Sequence, residues 1–141
     1  MKEVSEKILN VLKWILGGDR HAAEWALLSL VSKVYKREAA FMLGNLSSNL
    51  SGVTSEQAEL FNQFISAVVP FVCHFKSTVE SLSNVCFNSK KNYDTNSMEH
   101  GLLGSVTSGT LFCIDETNMK DGKLIKNGVY NIKAVATLIE E

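Results

Sequence analysis

Apolar residues recur at helical intervals from the start of the chain: Val4, Ile8, Val11, Leu12 and Ile15, with Lys2, Glu3, Glu6 and Lys7 among the polar positions between them. That spacing predicts an amphipathic helix, closed by Gly17-Gly18. A second helix is predicted from about Arg20 to Lys36. Its apolar positions, Ala23, Leu27, Leu28, Leu30, Val31 and Val34, are dense enough that burial on more than one side is expected. Ala39 to Leu50 follows as a predicted strand with imperfect alternation, broken at Gly52.

Thr54-Ser55-Glu56-Gln57 has the form of a capping box and opens a helix carrying Leu60, Phe61, Phe64, Ile65 and Val68. Pro70, the only proline, ends that helix. The apolar run Phe71 to Phe75 is short enough for a buried strand. Ser77-Thr78-Val79-Glu80 predicts a second capping box and a short helix through Leu82. Asn88 to Asn96 is polar and predicts a surface loop. Thr110 to Ile114 predicts another buried strand, ending in Asp115-Glu116, and Lys120 to Lys123 a turn. Asn127 is positioned to cap a last helix with Val129, Ile132, Val135, Leu138 and Ile139. The alternation of helices and short apolar strands predicts an α/β layered sheet with a largely parallel core, residues 1–141 forming one core segment. The chain stops inside the last helix, so more of the domain is expected to follow.

Composition narrows the function classes. The chain has 141 residues, 45% hydrophobic and 21% charged, which suits a folded domain rather than a disordered tail. A formal net charge of -1 supplies no general field toward nucleic acid or anionic lipid. No apolar run approaches the ~20 residues that span a bilayer. Cys73, Cys86 and Cys113 are odd in number, lack CxxC spacing and sit in apolar surroundings, so reduced thiols inside a cell are expected. Two glycosylation sequons, at Asn45 and Asn49, stand without a signal-peptide pattern.

The sharpest chemical signal is Gly18-Asp19-Arg20-His21-Ala22-Ala23-Glu24-Trp25, just before the second helix. In a P-loop, backbone N–H groups wrap the phosphates, a lysine contacts the terminal ones, and a Ser or Thr hydroxyl binds Mg²⁺. Helicase subunits of the minichromosome-maintenance (MCM) family use the variant G-D-P-G-V-A-K-S. Gly18, Asp19 and Ala23 match its first Gly, its Asp and its Ala. Glu24 replaces the lysine, Trp25 the serine, and His21 a glycine. A carboxylate ~4 Å from a phosphate charge costs about 4 kcal/mol at an effective dielectric of 20, and tryptophan offers Mg²⁺ no oxygen. The plainer reading is that Gly17-Gly18-Asp19 stops one helix and caps the next. Neither reading retains ATP at this loop.

A second signal is Thr110 to Glu116, a strand delivering Asp115 and Glu116 as a Walker B motif does to hold Mg²⁺ and polarise water. Strands also end in solvated acids, and these two have no Lys or Ser partner in the preceding loop. His21, His74 and His100 lie in different elements without zinc-ligand spacing, and His74 suits a core position within its apolar run. The cysteines lack activating charges. Lys90-Lys91 with Tyr93 could touch nucleic acid, although two lysines in a polar loop are usually solvated. No catalytic residue, cofactor or metal site is therefore expected.

Several blocks together resemble the MCM-binding protein family: Gly18-Asp19 with Ala22-Ala23-Glu24-Trp25, Leu27 to Tyr35, Leu43-Gly44 and Asn49 to Gly52. Thr78 to Leu82, Asn92 to Asn96, Gly101 to Leu103, Ile114 to Thr117 and Gly128 to Asn131 follow in family order. The family's Ala-Ala-Glu-Tyr is here Ala-Ala-Glu-Trp. The resemblance implies an AAA-like (P-loop NTPase-type) fold with a degenerate nucleotide site and no ATP hydrolysis. It implies MCM helicase subunits as partners, in complexes lacking one usual member. It further implies a nuclear role in MCM assembly, removal from chromatin and sister-chromatid cohesion; from the near-zero net charge and the absence of a basic stripe no direct nucleic-acid binding is expected, and neither membrane contact nor a small-molecule substrate is expected. Subunit mimicry would be the mechanism. The alternatives are a nucleotide-binding P-loop ATPase and a purely structural segment of a larger nuclear protein.

Overall fold

The computed structural model describes residues 2–38 and 42–140. The chain gathers into two compact units, one running to Val72 and the other from Cys73 onward. The class is mixed α/β, with five helices and six short strands among the described residues.

The first unit contains α1 (Lys2–Ile15), α2 (Arg20–Val31), β1 (Lys36–Arg37), β2 (Met42–Leu43) and α3 (Ser55–Val68). Its centre is Leu12 of α1 against Ala23 and Ala26 of α2, with Ile8, Leu9, Leu30, Phe61 and Phe64 packed around them. Two alanines on the contact face let the α2 backbone approach α1 closely. The capping box predicted for α3 is present: Thr54 Oγ1 accepts from Gln57 N–H at 3.2 Å, and Gln57 returns a bond to Thr54 N–H at 3.0 Å.

Two expectations fail in this unit. α2 ends at Val31 rather than Lys36, because Ser32 turns to extended backbone and its hydroxyl bonds the Ser29 carbonyl at 2.8 Å. The chain then enters a small antiparallel pair, Lys36 opposite Leu43 and Arg37 opposite Met42. Of the strand expected over Ala39 to Leu50, only Met42–Leu43 forms, and positions 39–41 lie outside the described residues. α2 is also covered on one side only, leaving Trp25, Leu28 and Val31 exposed.

The second unit contains most of β3 (Val72–Lys76), then α4 (Val79–Asn84), β4 (Lys90–Asn92), β5 (Ser97–Glu99), β6 (Leu111–Asp115) and α5 (Lys126–Glu140). Its core is aromatic. Phe87 is fully buried and meets Phe75 edge-on at 4.9 Å and Phe112 at 5.9 Å between ring centroids. Asn131 of α5, also buried, accepts from the Phe87 N–H at 3.0 Å. Its amide donates to the carbonyls of Leu82 (2.7 Å) and Val85 (2.5 Å). One side chain thus satisfies carbonyls that the end of α4 leaves without helical partners. Gly101 is needed beside this core, since a Cβ there would lie 2.3 Å from the Phe87 carbonyl oxygen.

The strands do not form one layered, largely parallel sheet. They pair two by two, as β1-β2, β3-β6 and β4-β5, and β1-β2 and β4-β5 are antiparallel. The segment expected as a polar loop is the β4-β5 hairpin, because Asn92 Oδ1 accepts from Asp94 and Thr95 N–H and folds the turn. The α4 cap is Thr78 with Ser81, one residue later than expected. Val129 N–H bonds the Ile125 carbonyl, so Asn127 lies inside α5 instead of capping it. His74 is exposed on β3, not in the core.

Candidate functional site

The residues of the P-loop-like motif form the corner between α1 and α2. Gly17 and Gly18 take φ of 69° and 90°, the left-handed region that favours glycine. Gly18 N–H donates to the Lys13 carbonyl (2.7 Å) and Gly17 N–H to that of Trp14 (3.3 Å), the paired bonds of a Schellman helix end. Asp19 then caps α2, its carboxylate accepting from Ala22 N–H at 3.0 Å and its carbonyl from Ala23 N–H at 3.2 Å. The glycine amides that a phosphate would need already bond to α1. A P-loop also follows a strand, whereas a helix precedes this corner.

Glu24 stands one turn into α2 and accepts from Arg20 Nε at 2.8 Å, with His21 Nδ1 at 3.9 Å. This hydrogen bond, and the charge behind it, raise the Arg20 pKa above its ordinary value. The region where a lysine would meet a phosphate is therefore an exposed ion pair. Trp25 is 57% exposed and walls a shallow concavity of about 540 Å³. Leu16, Asp19, Ala22 and the irregular stretch 46–53 line it too. Ser29 and Ser32 hold that stretch, through Ser29 Oγ to the Leu46 carbonyl (2.9 Å) and Leu46 N–H to Ser32 Oγ (3.2 Å). Sequence reasoning missed these two serines; their only signal was a pair of hydroxyls three apart at the apolar C-terminal end of α2.

The Walker B-like acids fall in the other unit. Asp115 ends β6, and its carboxylate accepts from the Thr117 N–H (2.9 Å) and hydroxyl (2.7 Å). Its carbonyl accepts from Ser77 N–H at 2.7 Å. The Glu116 side chain is exposed. Gly18, Asp19, Ala23, Glu24 and Trp25 thus share one corner, while Asp115 and Glu116 belong to a turn that folds on itself.

Other candidates have ordinary surroundings. None of the three cysteines is bridged, and burial pushes the Cys73 and Cys113 thiols up, Asp115 adding to the effect at Cys113. Lys91 lies 5.4 Å from the Tyr93 ring centroid. Among the described residues no group of three or more His, Cys, Asp and Glu could hold a metal, and no helix is long and apolar enough to cross a membrane.

With these residues placed as helix caps and turns, likeness to known proteins becomes decisive. The profile of the Mini-chromosome maintenance replisome factor family matches residues 1–141. The chain belongs to this family. It is 34% identical over 143 residues to the Mini-chromosome maintenance complex-binding protein of Arabidopsis thaliana, covering 99% of this chain and 24% of that protein. The proteins of the same name from Gallus gallus and Homo sapiens are 34% and 35% identical over 141 residues, each match covering 99% of this chain and 22% of the relative. The chain therefore spans less than a quarter of the length of these relatives. No solved structure matches it.

Proposed function

We propose that this chain is a docking segment of an MCM-binding replisome factor, contacting subunits of the MCM helicase without hydrolysing ATP. The observation that carries this reading is the family match along the whole chain, with relatives named for binding the MCM complex. The corner at Gly18–Trp25 supports the non-enzymatic half. Its glycine amides bond to α1, and Glu24 with Trp25 offers neither the cation nor the hydroxyl that nucleotide-Mg²⁺ needs. We further propose descent from an AAA-type core whose nucleotide loop became a helix corner, and subunit mimicry as the mode of docking. Roles in MCM assembly or removal from chromatin, in cohesion, and a nuclear location belong to the same proposal.

The test is capture of purified MCM subunits by the purified chain, alongside an ATP–Mg²⁺ titration by calorimetry. Capture with no heat up to millimolar nucleotide is the expected result. Saturable micromolar ATP binding would reopen the P-loop ATPase reading. Failure to capture any subunit would assign MCM binding to the remainder of the longer protein and leave this chain a structural segment.

A further inference from the structure

The stretch from Asn45 to Ser51 has the straight course of a strand and no partner strand. It runs without a turn or a bend, between bends at Gly44 and Gly52. Leu46 alone is tied down, by the Ser29 and Ser32 hydroxyls of the α2 end. From Ser47 to Val53 no backbone N–H or carbonyl is hydrogen-bonded to another group among the described residues. A run of unpaired donors and acceptors along straight backbone is an edge to which an extended chain adds.

This stretch forms one side of the concavity beside Trp25. The other side is Leu16 with Asp19, Ala22 and Trp25, which follow one another three apart along α2 and its cap and so share a side of the helix. The groove between them holds about 540 Å³. Its two sides state what an added chain carries. Leu16, Ala22 and Trp25 suit an apolar side chain. Asp19 is the only charged residue lining the groove, so a lysine or arginine on the added chain complements it. A second copy of the chain is a poor occupant, since its own stretch 45–51 is bonded to its own α2 at Leu46 and carries no cation.

We propose that the groove between α2 and residues 46–53 binds an extended segment of a partner protein by strand addition. The segment sets an apolar side chain against Trp25 and a lysine or arginine near Asp19. Such binding does not rest on the MCM reading, and capture of MCM subunits and capture of peptides can each fail without the other.

The probe is a phage-displayed library of random peptides of about nine residues, panned on the purified chain. Panning should enrich sequences with apolar residues at alternate positions and a lysine or arginine among them. The enriched peptide, made synthetically, should slow hydrogen exchange of the amides in 47–51. Successive backbone N–H groups of a strand point to opposite edges, so methylating one alternate set of its nitrogens should weaken binding at least about tenfold, and methylating the other set should not. Trp25→Ala should weaken the peptide at least about tenfold. Asp19→Asn keeps the helix cap and should weaken it about threefold or more. No enrichment, two methylated sets that act alike, or indifference to either variant would overturn the proposal. So would protection of amides 47–51 before any peptide is added, with sedimentation equilibrium assigning it to a dimer or to the chain itself.

Discussion

The two units reach stability by different means. In the first, α1 and α2 pack through alanines with Phe61 and Phe64 of α3 against them, and capping bonds hold each end of the corner. The second is built on three phenylalanines and one buried asparagine that ties α5 to the end of α4. A close contact through alanines is sensitive to added volume. A thick aromatic core with an internal polar network is sensitive to removal. The corner with the P-loop-like letters sits in the unit whose local structure is held by caps, and those residues end α1 and start α2.

The comparison breaks most sharply at Phe87. Phe87→Ala should cost about 4 kcal/mol and raise hydrogen exchange in α4 and α5 while leaving α1 and α2 amides protected. Equal loss of protection in both units would mean that they unfold as one and that the contrast is only descriptive. Asn131→Ala should follow at about 3 kcal/mol, since it strands a buried N–H and two carbonyls. Asn131→Asp should rescue little, because a carboxylate cannot donate to Leu82 and Val85; a denaturant melt of each variant checks this.

In the first unit the direction of sensitivity reverses. Ala23→Leu should destabilise by about 2 kcal/mol through overpacking against Leu12, read as lost exchange protection in α1 and α2. Asp19→Ala removes the cap and should cost about 1 kcal/mol, with Asp19→Asn recovering most of it. The smallest effect is chemical. The raised Cys113 thiol carries less thiolate at pH 8 than a free cysteine. Iodoacetamide should therefore label it more slowly in the folded chain than in denaturant, by mass spectrometry.

Much of the local structure was legible in the sequence because its causes are local. The stop at Gly17-Gly18 follows from the left-handed backbone that glycine allows, and the Asp19 cap and the Thr54–Gln57 capping box from side chains that bond backbone three residues away. The same holds for the apolar stripes of α1 and α3. The Gly18–Trp25 motif was legible as letters, and its helix-stop alternative describes the geometry that forms. What escaped was whatever a distant residue decides. α2 stops at Ser32, whose hydroxyl bonds the Ser29 carbonyl and also accepts from Leu46 N–H, fourteen positions away. The polar stretch after Asn88 becomes a hairpin because Lys90 finds Glu99 and Asn92 bonds the same carboxylate.

By itself the sequence determined that five helices form, the caps at Asp19 and Thr54, the family, and Glu24 and Trp25 where the MCM motif has lysine and serine, since these rest on residue identity and near-neighbour chemistry. Tertiary structure alone decided the rest. It divided the chain into two units, paired strands two by two, and buried Asn131 rather than His74. It also chose which face of α5 faces the core, because an apolar stripe on each side of a helix is ambiguous until a neighbour covers one of them.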